Sequence, residues 1–200
     1  MSKIGIMGGT FDPIHIGHLF IAENVCEILR LDKILFIPTG TPPHKNAGNV
    51  TDKLHRYAMT AVAVAHNDKF DVSPIEFERD TTCYTADTVE ILGKQYPETQ
   101  WYYIVGADAL LDIPKWKNPE RFINKVKIVA VDRLTGGDVK TNEAAQRLIN
   151  DFGAEVAIVN LPLLEISSTD IRRRLKNNQT VNYMLTDDVI EYITDRGLYK

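Results

Sequence analysis

Two histidines three residues apart, His15 and His18, close the segment Gly8-Gly9-Thr10-Phe11-Asp12-Pro13-Ile14-His15-Ile16-Gly17-His18. Imidazoles at that spacing around a helix start can face one anion. The glycines let backbone N–H groups approach a phosphate, and a helix N-terminus adds favourable positive potential. The segment is neither GxGxxG nor GxxxxGK[ST], so neither hydride transfer nor γ-phosphate hydrolysis is implied. Zinc fits poorly, because no third ligand stands in HExxH or cysteine spacing. A turn capped by polar residues would explain one histidine; two beside a double glycine favour the anion.

A second cluster lies far down the chain, at Ile166-Ser167-Ser168-Thr169-Asp170-Ile171-Arg172. Taken alone it is a helix N-cap with Ile171 and Leu175 on a core face and a solvated basic face. Arg172, Arg173, Arg174 and Lys176 nevertheless concentrate positive charge suited to a small polyanion. Between the clusters, a proline- and glycine-punctuated loop over 38–50 carries His44 and Lys45. Trp116, between Lys115 and Lys117 in a proline-flanked loop, reads less as simple core than Trp101, which lies inside a strand.

These side chains need a scaffold that brings strand ends and helix starts together. Short β-branched runs alternate with amphipathic stretches, which predicts an α/β fold with an open, mostly parallel sheet. Strands are expected at 3–7, 33–37, 70–77 with a break at Pro74, 101–105, 126–131 and 155–160. Helices are expected at 17–30, 51–65, 85–95 with Thr85 as N-cap, 119–124, 142–151, 167–176 and 187–195, the last stopped by Gly197. Ligands of such sheets bind beyond the carboxyl ends of strands, where Gly8–His18 falls. No repeat or dividing linker is visible, so residues 1–200 read as one domain with a C-terminal helical part over about 167–200.

With 200 residues, 44% hydrophobic and 25% charged, the composition is that of a soluble globular chain. A formal charge of −4 lacks the broad basic surface that nucleic acid requires. No window approaches the ~20 apolar residues of a membrane span. Cys26 and Cys83 are far apart without a CxxC partner, and no signal peptide is read, so a reducing cytoplasm is expected. Nucleic acid and membrane are therefore not expected partners.

GGTFDPIHIGH resembles the signature of the HxGH nucleotidyltransferases, and ISSTDIR, about 150 residues on, resembles their ISSTxIR motif. Three further segments are similar to bacterial nicotinate mononucleotide adenylyltransferases. Pro42-Pro43-His44-Lys45 resembles their PPHK loop. Cys83-Tyr84-Thr85-Ala86-Asp87-Thr88 resembles their TYTxDT segment, with Cys83 where serine or threonine is more usual. Ile104-Val105-Gly106-Ala107-Asp108 with Trp116 resembles their GxD strand end and following tryptophan.

The resemblance implies a Rossmann-like nucleotidyltransferase fold and transfer of AMP from ATP to nicotinate mononucleotide, giving nicotinate adenine dinucleotide and pyrophosphate in NAD biosynthesis. It implies catalytic roles for His18, His15, Lys45 and Arg172, expected to converge as positive groups. ATP would also meet Gly8, Gly9, Thr10, Phe11, Gly106, Asp108, Arg133, Ser167, Ser168 and Thr169. Nicotinate mononucleotide would meet Thr10, His44, Lys45, Thr85, Ala86 and the ring of Trp116. Asp12 would orient the turn or act on a metal through water. Magnesium is expected on the substrate phosphates, with no protein ligands named. A homodimer is common among such proteins, although no interface is readable here. Two alternatives remain: a relative acting on phosphopantetheine or an alcohol phosphate with CTP, and a catalytically silent nucleotide-binding regulator. The Thr85 and Trp116 segments speak against the first, and the presence of His15, His18 and Arg172 against the second.

Overall fold

In the computed structural model the chain is described over residues 1–40, 50–77, 83–133, 139–162 and 164–200. Six strands, β1 (Ser2–Gly9), β2 (Lys33–Pro38), β3 (Phe70–Val72), β4 (Thr99–Gly106), β5 (Lys127–Arg133) and β6 (Val156–Leu161), form one sheet in the order β3-β2-β1-β4-β5-β6. Every pairing is parallel. Parallel strands need crossovers, and helices supply them on both faces. They are α1 (Ile16–Ile28), α2 (Lys53–Val64), α3 (Thr85–Gln95), α4 (Ala107–Asp112), α5 (Pro119–Ile123), α6 (Val139–Phe152), α7 (Ser168–Lys176) and α8 (Asp187–Arg196).

Alternation along each strand divides the core in two. In β5, Val129 and Val131 join a buried cluster with Ala22 and Val25 of α1, Met59 of α2, Ile171 of α7 and Val189 of α8. Ile128 and Ala130 join the other, with Val89 of α3, Leu110 of α4, Phe122 of α5 and Leu148 of α6. Burial on both faces explains why the strands read as near-continuous apolar runs. β1 and β4, neighbours at the centre of the sheet, are followed by connections to opposite sides, so their carboxyl ends flank the topological switch point of the fold.

Three expectations change. β3 stops at Val72 rather than 77, because Pro74 has no N–H to donate to a ladder. Thr85 is the first residue of α3 and not its cap; Tyr84 is the N-cap, without a side-chain bond. α4 and a 3-10 turn at Ile113–Lys115 lie where no element was expected, each too short to show a period.

Candidate active site

The loop leaving β1 is built by close approach. A Cβ on Gly8 would stand 2.7 Å from the Tyr103 hydroxyl, and one on Gly9 would stand 2.8 Å from the Phe11 ring. Phe11 takes the left-handed conformation (φ 49) and buries its ring against Phe36, edge-on to His18. Phe11 is therefore a wedge beneath the loop.

His15 is the N-cap of α1, and its backbone N–H donates to His18 Nδ1 at 3.2 Å. The two imidazoles stack with centroids 3.7 Å apart. Gly17 keeps this stack uncrowded, since a Cβ there would lie 3.0 Å from His15 Nδ1 and press on the ring. Because His18 Nδ1 accepts a hydrogen bond, the neutral ring carries its proton on Nε2. Burial, and then the neighbouring His15, push the His18 pKa down to about 3. Burial alone pushes His15 down to about 4. Both rings are thus neutral at pH 7, which corrects the expectation of converging positive histidines: His18 is a donor without a charge. His15 Nδ1 is buried with no hydrogen-bond partner among the described residues.

The distal motif docks on this loop from behind. Ser167 caps α7 by accepting from the Asp170 N–H at 3.2 Å. Ser168 Oγ donates to the Pro13 carbonyl at 2.9 Å, and Arg172 Nη1 donates to the Asp12 carbonyl at 2.7 Å. A second Arg172 nitrogen lies 3.4 Å from Thr169 Oγ1. Part of the Arg172 guanidinium, expected to hold phosphate, also clamps the two motifs together.

Asp12 and Arg56 organise the underside. The Asp12 carboxylate accepts from the Tyr199 hydroxyl at 2.7 Å and the Thr51 N–H at 3.3 Å, so its geometry is that of a group orienting the turn. Arg56 is 1% exposed and donates to the carbonyls of Thr10 (2.6 Å), Thr51 (2.9 Å) and Gly40 (3.0 Å). Burial pulls its pKa down, and Asp12 is foremost among the acids that push it back. Sequence reading passed over Arg56. Its one signal is a charge three residues before Met59, on the face of α2 that carries the apolar side chains.

Two cavities meet at the switch point. The larger, about 520 Å³, is lined by Gly8, Gly9, Thr10, Thr85, Ala86 and Trp116 among the expected residues, together with Glu76, Cys83, Tyr84, Tyr103, Lys115 and Lys117. The smaller, about 230 Å³, is lined by Gly8, His18, Gly106 and Trp116 with Tyr103, Ile104 and Val131. Gly8, Tyr103 and Trp116 form the shared wall. Tyr103 was missed because its sequence context is simply that of a strand. Its ring packs edge-on against Phe122 (4.9 Å) and Trp116 (6.1 Å), its hydroxyl hydrogen-bonds the Thr85 side chain, and burial pushes its pKa up to about 12. Glu76, also unforeseen, accepts from the Gly40 N–H at 3.3 Å and from Thr88 Oγ1 at 2.8 Å.

Other expected residues fall outside these cavities. His15, Phe11, Ser167, Ser168, Thr169 and Arg172 line neither, and Asp108 is exposed in the first turn of α4. The Arg133 backbone ends β5 opposite Leu161, and its side chain lies outside the described residues, as do His44 and Lys45. No group of three His, Cys, Asp or Glu poised to hold a metal ion occurs among the described residues.

Residues 6–174 match the cytidylyltransferase-like family model. A protein of Thermoanaerobacter sp. (strain X514), named probable nicotinate-nucleotide adenylyltransferase, is 44% identical across 99% of this chain and 94% of its own length. One of the same name from Moorella thermoacetica is 43% identical across 99% and 92%. Among solved structures, Plasmodium falciparum nicotinic acid mononucleotide adenylyltransferase complexed with NaAD superposes with a TM-score of 0.80 at 20% identity, covering 100% of this chain and 98% of that one, a likeness of fold. The chain belongs to the cytidylyltransferase-like family and, within it, to the nicotinate-nucleotide adenylyltransferases.

Proposed function

We propose that this enzyme transfers AMP from ATP to nicotinate mononucleotide, forming nicotinate adenine dinucleotide and releasing pyrophosphate, a step of NAD biosynthesis. The observation that carries the reading is the pair of adjoining cavities sharing Gly8, with His18 at the smaller and Thr85, Ala86 and Trp116 around the larger. ATP takes the smaller side and the acceptor the larger. An acceptor phosphate oxygen then attacks the α-phosphorus in line, the bond to the bridging oxygen of the β-phosphate breaks, and pyrophosphate leaves with that electron pair. No protein nucleophile is needed, so the residues position substrates and stabilise charge.

His18 Nε2–H donates to the α-phosphate oxygens as charge builds, with the Gly9 and Thr10 amides assisting. His15 and Phe11 hold His18 in its rotamer. The α7 start at Ser168 and Thr169, with the remaining Arg172 donors, serves the β,γ end, and Lys45 joins from its loop. Gly106, Asp108 and Arg133 border the nucleoside, while Trp116 stacks on the nicotinate ring beside the amides at Thr85 and Ala86. Magnesium enters as part of the ATP substrate. Asp12, whose carboxylate accepts from the Tyr199 hydroxyl and the Thr51 N–H, orients the turn. We further assign the enzyme to the cytoplasm, with small nucleotides rather than nucleic acid as partners.

The test is pyrophosphate release with ATP and magnesium, comparing nicotinate mononucleotide, nicotinamide mononucleotide, phosphopantetheine and glycerol phosphate. Nicotinate mononucleotide should be the preferred acceptor; faster release with another acceptor, or none with any, overturns the reading.

A further inference from the structure

The mouth of the larger cavity carries a cation that the mechanism above does not use. Lys117 lines that cavity, and its Nζ sits 4.0 Å from the centroid of the Tyr84 ring, which lines it too. An ammonium over an aromatic face is held there by the ring quadrupole while its remaining donors stay available. The neighbouring lysine differs: Lys115 Nζ is 2.7 Å from Asp112 Oδ1, so its charge is offset. Lys117 makes no ion pair among the described residues. The one described carboxylate lining the cavity, Glu76, is turned toward the Gly40 N–H and the Thr88 hydroxyl. Among the described residues that line this cavity, Lys117 is thus the cation without an ion pair, adjacent in sequence to Trp116 and held over Tyr84, the residue that precedes α3.

We propose that Lys117 is a specificity-determining residue, whose Tyr84-held ammonium selects acceptors with an anionic ring substituent over those with a neutral one. This deepens the functional reading above and rests on it. Both mononucleotides carry the same pyridinium ring; nicotinate adds a carboxylate that gains from the cation, whereas the isosteric carboxamide of nicotinamide is neutral and gains almost nothing. Stacking on Trp116 serves both rings equally, so the discrimination falls to the donors at the start of α3 and to the charge of Lys117, whose share a side-chain substitution reads separately.

The experiment measures kcat/KM for nicotinate mononucleotide and nicotinamide mononucleotide in the wild type, Lys117→Gln, Lys117→Arg and Lys117→Glu. For an exposed cation, neutralisation should reduce the acid-over-amide ratio about fivefold, through KM of the acid, and leave the amide within about twofold. Lys117→Arg should retain the ratio, and Lys117→Glu should reduce it about 25-fold. Raising salt from about 0.05 to about 0.5 M should erode the wild-type ratio and spare that of Lys117→Gln. An unchanged ratio in Lys117→Gln, or an equal loss for both acceptors, overturns the proposal while the functional reading stands. A wild type that releases pyrophosphate with neither acceptor overturns both, a distinct signature.

Discussion

Replacing Arg56 by methionine asks whether one buried guanidinium, outside every recognisable motif, holds the phosphate loops in register. Its three carbonyl partners, Thr10, Thr51 and Gly40, belong to the start of the loop leaving β1, the approach to α2 and the exit from β2. Methionine fills much of the same volume but leaves three acceptors without a donor and takes a positive neighbour from buried Asp12. Removing one member of a buried charged network costs about 3–5 kcal/mol. Arg56 is fully enclosed, yet its bonds to Thr10 and Thr51 are only part-buried, so water can re-solvate those two carbonyls and the lower end, about 3 kcal/mol, is expected. For a chain of this length that corresponds to a Tm lower by about 6–12 °C. Urea denaturation followed by far-ultraviolet circular dichroism should show the midpoint fall with an unchanged slope. Adding Asp12→Asn to the variant should cost less than the two single changes combined, by at least about 0.5 kcal/mol. A loss below about 1 kcal/mol, or strict additivity with Asp12→Asn, would refute the argument.

Three further outcomes follow from the site. His18→Ala should fold with near-normal stability and lose at least ~100-fold in kcat, the scale for removing a transition-state donor; near-wild-type turnover would remove His18 from the chemistry. Both site histidines have folded-state pKa values, about 3 and about 4, below the free value of 6.5. The unfolded chain thus binds more protons at acid pH, so their contribution to stability is complete above about pH 6.5 and declines as pH falls toward 4. Their imidazole NMR signals should stay constant from pH 8 to about pH 5; a titration near 6.5 would refute neutrality. Trp116→Ala should raise KM for the acceptor well before that for ATP, and the reverse order would reject the stacking role.

What was legible in the sequence were features set by local chemistry. The double glycine, the histidine pair and the Ser167 cap each have a neighbourhood within a few residues, and the structure brings the two motifs together as a Ser168 to Pro13 and Arg172 to Asp12 contact. A mostly parallel sheet with its ligands beyond a strand end was legible from the alternation of strands and helices, whereas the order β3-β2-β1-β4-β5-β6, which sets the switch point, depends on long-range pairing that no local pattern reports. Arg56, Tyr103 and Glu76 were not, because their roles depend on carbonyls, hydroxyls and amides supplied by distant segments. Tyr103 has the periodicity of any strand residue; only the missing Cβ of Gly8 gives its hydroxyl a place. Histidine charge was misjudged for a related reason. Motif spacing reports direction, whereas protonation depends on burial by packing partners such as Phe11.

Neutral histidines change how the proposed site would work. A fixed cation attracts the phosphates of the bound substrate and of the transition state nearly alike, which tightens binding more than it speeds the chemical step. A neutral Nε2–H, fixed by its Nδ1 bond and by the stack with His15, interacts weakly with an oxygen whose charge is shared and more strongly as charge concentrates there. In the proposed arrangement, neutral donors at the α-phosphate, with cationic work left to Arg172 at the far end, would separate the two tasks. Arg172→Gln should then raise KM for ATP more than it lowers kcat, while His18→Ala does the opposite. Equal partition of both losses between KM and kcat would show that the site makes no such division.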